Sequence, residues 1–167
     1  MKSIAQQSLD AQVRLLLNVI DQSFENKAWH GPNLKGSVRG VSPQEAGWRP
    51  APKRHNIWEI VLHTAYWKYA VRRMLTGERR GSFSCKGSNW FPCPSPLTPS
   101  SWREAVTLLT QEHAQLRAAV EDLRPMSLYQ RPASSQYTRA NLLYGIASHD
   151  VYHAGQIQLL KRLFPGK

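Results

Sequence analysis

An all-α four-helix bundle is the fold this sequence predicts, and three observations predict it. Four stretches carry apolar residues at alternating three- and four-residue spacing, the period of a helix with one core-facing stripe. No stretch alternates apolar and polar residues as a half-buried strand does. The segments between them are rich in Gly, Pro and Ser and supply caps and stops where each periodic stretch begins and ends. Helices of this kind bury their stripes only by packing on one another.

The first helix is predicted over Ile4–Phe24, with Leu9, Val13, Leu16, Ile20 and Phe24 as its stripe. Its run Leu15-Leu16-Leu17 is short, follows Asp10, and has no small-residue cleavage site after it, so it reads as a helix rather than a signal peptide. Trp29-His30-Gly31-Pro32 stops it. Short helical turns are expected at 33–38 and 43–46, before Pro52. The second helix starts near Asn56, where Asn56-Ile57-Trp58-Glu59 has the form of a capping box with Glu59 reaching back, and it ends at Gly77. Its stripe is Ile60, His63, Trp67, Ala70 and Met74.

A loop over 77–100 follows, carrying Pro92, Pro94, Pro96 and Pro99. Ser101-Trp102-Arg103-Glu104 reads as a second capping box, opening a third helix with the stripe Trp102, Val106, Leu109, His113, Leu116, Val120 and Leu123, stopped by Pro125. The fourth helix is predicted over Arg139–Leu163 with Leu142, Ile146, His149, His153, Leu160 and Leu163 as its stripe. A helix of about twenty residues is roughly 30 Å long, and the long loop between the second and third can span that length. Those two helices can then be parallel, so up-down-down-up is the expected order.

Composition sets the outer bounds. With 167 residues, 41% hydrophobic and 20% charged, the chain fits one globular domain over 1–167. No apolar run reaches the length of a membrane span, so no membrane partner is expected. Cys85 and Cys93 fit no zinc spacing and read as free thiols of a cytoplasmic protein. The net charge of +11 is high, but its tightest groups, Arg72-Arg73, Arg79-Arg80 and Lys161-Arg162, fall at helix ends, where cations complement the dipole. No helix-turn-helix or other reading motif accompanies them, so nucleic acid is not the expected ligand.

Four histidines stand where leucines would: His63, His113, His149 and His153. His149 and His153 are four apart on one helix, one turn above the other on one face. A buried imidazole without a partner costs a few kcal/mol on the order of transfer data, and an ion shared between side chains of facing helices removes that cost. His149 and His153 with His63 from a neighbouring helix would make three neutral nitrogen ligands and leave an open position, the pattern of a catalytic site. Such a set suits a divalent transition metal: zinc or nickel first, with iron, manganese or copper as the other choices. A fourth-ligand role for His113 competes with that of a core histidine satisfied by a hydrogen bond, and the latter is the expectation. His30 and His55 lie in loops, solvated or lining a mouth.

The segments Trp58-Glu59-Ile60-Val61-Leu62-His63 and His149-Asp150-Val151-Tyr152-His153-Ala154-Gly155-Gln156-Ile157 resemble the DinB family of metal-dependent proteins. The resemblance covers nearly the whole chain, including the helix order. It implies an up-down-down-up bundle with His63, His149 and His153 as metal ligands. It also implies activities such as transfer or isomerisation dependent on bacillithiol, mycothiol or glutathione. The related iron-binding domains of ergothioneine-type sulfoxide synthases carry a Glu where this chain has Gly155, which argues against their reaction.

Candidates for catalysis beside the ligands are Glu59, Asp150 and Gln156. Glu59 lies one turn before His63 and could orient its ring or act as a base, although capping already accounts for it. Asp150 is one position off the stripe, solvated or hydrogen-bonded behind a ligand. Gln156 lies one turn past His153, within reach of a ligand or substrate. Tyr152 and Trp67 read as packing residues. The functional expectation is a metal-dependent enzyme, a thiol S-transferase or a hydrolase, acting on a small molecule that could be a low-molecular-weight thiol, with a homodimer as a possible assembly. The competing expectation is a non-catalytic metal-binding or nucleic-acid-interacting stress protein. A cleft ending at the metal favours the first; one contiguous basic face favours the second.

Overall fold

The computed structural model describes residues 4–165, with side chains from residue 11 onward. Its elements are α1 (Ile4–Phe24), α2 (Leu34–Val38), α3 (Pro43–Gly47), α4 (Ile57–Thr76), α5 (Pro99–Glu121), a 3-10 turn (Pro125–Tyr129) and α6 (Arg139–Leu163). There is no strand among the described residues, and no helix among them is long and apolar enough to cross a membrane. The four long helices, α1, α4, α5 and α6, are the four that hydrophobic periodicity predicts. Leu9, placed on the first stripe, lies outside the described side chains.

Side-chain caps start most of these helices. Asn33, Ser42, Asn56 and Thr138 each accept from the backbone N–H three residues on, satisfying a donor that has no partner inside the helix. Gly77 ends α4 with φ +79°, a left-handed cap that glycine adopts without Cβ strain. Two expected details are corrected. The third long helix opens three residues before Ser101: Thr98 is the cap, Pro99 occupies the first turn, and the Thr98 and Ser101 side chains satisfy each other's backbone N–H. Proline fits there because it has no N–H to leave unpaired. At α4 the Asn56 half of the capping box forms, but Glu59 spends its carboxylate elsewhere, as described below.

α4 and α1 lie on opposite sides of the bundle, each packed between α5 and α6. α1 and α5 run in opposite senses, since Asp21 meets Arg117 while Phe24, further along α1, stacks on the earlier His113. α2 packs on α6, and α3 on α4. α4 is the most interior element: every residue from Ile57 to Tyr66 is buried. A single stripe therefore understates it, and Trp67 and Met74 of that stripe are only half-buried. On α6, Leu142, Ile146, His153 and Leu160 are buried as expected, but Leu163 is 51% exposed. A strict seven-residue repeat drifts by about 20° per heptad on a straight helix, so three heptads past Leu142 the stripe has turned away from the core.

A second buried face of α6 (Leu143, Ala147, Asp150, Ala154, Ile157) went unpredicted. Asp150 on it is not solvated, and no hydrogen bond joins it to the histidines. It is fully buried and pairs with the equally buried Lys68 of α4. The Ser23 hydroxyl stands 3.5 Å from the same carboxylate oxygen, and the Lys68 ammonium lies 4.8 Å from the centroid of the Phe24 ring. Burial pushes the Asp150 carboxyl up and the Lys68 ammonium down, each opposed by the other's charge.

His113 is a core residue, as expected, but without the expected hydrogen bond. Neither ring nitrogen has a hydrogen-bond partner among the described residues. The ring stacks on Phe24 with centroids 3.7 Å apart. The Asp21 carboxylate is 3.8 Å away and is held by Arg117 at 3.0 Å. Burial first, then the nearby Lys68 and Arg117 cations, push His113 down to about 2. The unfolded chain therefore takes up a proton near pH 6.5 that the folded chain refuses. Stability from this residue is complete above about pH 6.5 and declines as pH falls from there toward 2. His113→Leu is expected to change stability at pH 8 by less than about 1.5 kcal/mol and to flatten the decline below pH 6.5. Urea unfolding at a series of pH values reads this directly; an unchanged pH slope would refute it.

Candidate metal centre

α4 contributes His63, and α6 contributes His149 and His153 one turn apart. The three rings converge. His149 Nε2 lies 3.0 Å from His63 Nε2 and 3.1 Å from His153 Nε2. Among the described residues this is the one group of three or more His, Cys, Asp or Glu side chains close enough to hold a metal ion.

The hydrogen bonds on the far side of two rings decide what those nitrogens can do. His63 Nδ1 donates to the Asn89 carbonyl at 2.9 Å, and His153 Nδ1 donates to Gln156 Oε1 at 2.7 Å. A neutral imidazole carries one N–H, so both Nε2 atoms present lone pairs to the centre. His149 has at most one proton to offer and two neighbours to offer it to. Three nitrogens facing one another at this spacing fit a cation at their common focus, since each can reach one ion at about 2.0–2.1 Å. Their protonation is suppressed as well. Burial, and then the neighbouring imidazoles, hold His149 at about 3; burial, and then His63, hold His153 at about 4; burial likewise lowers His63. All three are neutral near pH 7, the form that binds metal. The donor set therefore fits a metal ion, which His63, His149 and His153 could hold. His149 Nδ1 differs from its counterparts, being buried with no hydrogen-bond partner among the described residues.

The loop between α4 and α5, expected only to cross the bundle, builds one wall of this site. Trp90 stacks on His63 with centroids 3.8 Å apart and on His55 at 3.6 Å, so three flat rings form one pile. Asn89 holds His63 through its carbonyl and accepts from Trp67 Nε1 through its side chain at 2.9 Å. Its φ of +65° is a conformation that Asn tolerates better than most residues. Sequence periodicity missed both residues. The available signal was Trp90-Phe91, two large aromatics inside a Gly/Ser/Pro-rich loop.

The other candidates take distinct places. Glu59 accepts two hydrogen bonds from Arg49 and one from His55 Nδ1 at 2.9 Å. Burial would raise its pKa, but these partners outweigh it and hold the carboxyl below its usual range. Gln156 braces His153 directly. Asp150 pairs with Lys68 and is hydrogen-bonded to none of the three histidines. His55 lines the cavity with the three histidines, whereas His30 lines a different hollow. Cys85 and Cys93 are free thiols, both pushed up by burial.

Two cavities meet at His149. One, of about 730 Å³, includes His63, His149, His153 and His55 in its lining. The other, of about 580 Å³, runs from His149 between α4 and α6.

Gln156→Ala is expected to keep one metal per chain but weaken it by about 10–100-fold, the usual cost of losing the group that orients a histidine ligand. Competition with a chromophoric chelator measures this; affinity within about twofold of wild type would show that Gln156 does not set the ring.

A helical bundle with three converging histidines from two facing helices defines a class: all-α proteins with a histidine cluster that could hold a metal ion. A family model described as the DinB superfamily matches residues 26–157, most of the chain and all three histidines. The chain belongs to the DinB superfamily. Searches of curated proteins and of solved structures returned no match.

Proposed function

We propose that the protein is a metal-dependent enzyme that acts on a small molecule, with thiol transfer to an electrophile as the first choice of reaction and hydrolysis as the second. The observation that carries this reading is the position of the three Nε2 atoms, which converge at the wall of a cavity of about 730 Å³. A buried structural ion would have no use for such an opening. A divalent ion, with zinc or nickel as first choices, would be held by His63, His149 and His153 and would supply a Lewis acid that makes a thiol or water acidic near neutral pH.

The chain's own residues supply the rest. Glu59, kept ionised by Arg49, accepts from His55 Nδ1, which fixes His55 in the tautomer with Nε2 free to accept a proton. His55 lines the same cavity as the ligands. In thiol transfer the thiol proton passes to His55 Nε2. The sulfur then bonds to the electrophilic carbon, and the leaving group departs with its bonding pair. Glu59 is thus the positioning residue, and His55 the base. Trp90 holds His55 flat and keeps water from that face of His63.

The test begins with metal analysis of protein purified without a histidine tag or added metal. A screen of low-molecular-weight thiols against electrophiles follows, with and without the ion. Thiol consumption that needs the ion, and that His55→Ala slows with metal content unchanged, is the expected result. Stoichiometric metal with no ion-dependent turnover of any thiol, ester or amide would leave a binding protein and overturn the enzyme reading.

A further inference from the structure

The second cavity at His149 has a different chemistry from the first. Its walls are Trp67, Val71 and Met74 of α4 and Leu142 and Ile146 of α6, with residues 134–137 also lining it. It is an apolar groove of about 580 Å³, within the roughly 300–1,000 Å³ range of small-molecule sites. His149 lines it and also lines the histidine cavity, so the two spaces share a candidate ligand residue.

Two further features show a groove kept open and shaped. Gly145 lines it from the middle of α6, where glycine costs about 1 kcal/mol relative to alanine. No packing neighbour requires the glycine: a Cβ built on it meets nothing within 4 Å. A side chain there would fill groove rather than core. Trp67, the aromatic wall, is fixed by its indole hydrogen bond to Asn89, the residue that also holds His63. A fixed indole face beside a flexible methionine suits a flat hydrocarbon group.

We infer that this groove binds the aromatic or short alkyl body of a small molecule whose polar head reaches the histidine cluster. The orientation of that molecule rests on the reading of the cluster as a metal centre; the groove itself does not. The substrate class is then an arylalkyl or alkyl compound bearing a thiol or another metal-binding head, rather than a wholly polar one.

The test compares 3-phenylpropane-1-thiol with 2-mercaptoethanol on the zinc-loaded protein, by calorimetry, for wild type and Gly145→Leu. A buried phenyl group is expected to give the arylalkyl thiol an advantage of about 10-fold or more. Gly145→Leu should remove that advantage while leaving zinc stoichiometry and 2-mercaptoethanol affinity unchanged. A second arm uses metal-free protein and 3-phenylpropan-1-ol, read by the amide chemical shift of Gly145 in wild type and of its neighbours in both proteins. Shifts in wild type that vanish in Gly145→Leu support the groove even if zinc fails to bind, an outcome that would sink only the metal reading. No advantage from the phenyl group in the first arm with no wild-type shifts in the second, or an advantage or shifts that survive Gly145→Leu, overturns the inference while zinc stoichiometry independently preserves the metal centre.

Discussion

His149→Ala is expected to abolish tight metal binding and, with it, the rise in thermal stability that metal gives. Among the three histidines it holds the central place, about 3 Å from each of the other two. Without it, His63 and His153 remain on different helices, and a two-ligand site replaces a three-ligand one. The loss should be at least about 100-fold in affinity, beyond what loss of a merely orienting group costs. Because the ion binds only the folded arrangement, wild-type Tm should climb with metal concentration by mass action, and the variant's should not. Calorimetric melts across a zinc or nickel titration test both statements. If His149→Ala kept the metal-dependent increment while His113→Leu lost it, the ligand set proposed for this chain would be wrong.

Lys68→Ala is expected to be the most destabilising single substitution described here, by about 3–5 kcal/mol, because it leaves the fully buried Asp150 carboxylate without its counter-ion. For a chain of this size that corresponds to a fall in Tm of roughly 10 °C or more. The double variant Lys68→Met with Asp150→Leu should recover most of the loss, since a buried pair replaced by apolar groups of similar volume is often neutral or better. Urea unfolding of the three proteins gives the comparison. A Lys68→Ala variant within about 1 kcal/mol of wild type would mean that water or another group satisfies Asp150.

These two expectations differ in how far the sequence foretells them. His149 and His153 declare themselves because a helix repeats every 3.6 residues, and two imidazoles on a leucine stripe break its pattern. His63 does the same on α4. The ends of α4 are legible from Asn56 and Gly77, because caps act within four residues. The Lys68–Asp150 pair has no such local signature: its members lie 82 positions apart and join only when α4 and α6 pack. The stripe drawn for α6 ignored the second face on which Asp150 sits, so a core residue looked peripheral. Asn89 and Trp90 escaped for a related reason. Loop residues have no period, and what they touch depends on the path of the chain. The His55–Glu59 contact was hidden by a competing local explanation, since Glu59 also fits a capping box.

The pile of His55, Trp90 and His63 ties the α4–α5 loop to the histidine cluster. Asn89 and Trp90 cannot leave without stripping His63 of its hydrogen bond and its stacked neighbour. Loop opening and loss of the fixed orientation of His63 are thus one event seen from two sides. Reciprocity then requires that whatever binds at the cluster with His63 in this pose also raises the free energy of opening the loop by the same amount. A crossing segment that a bundle could otherwise leave loose becomes a reporter of occupancy, its opening free energy coupled to a site that it borders and does not ligate.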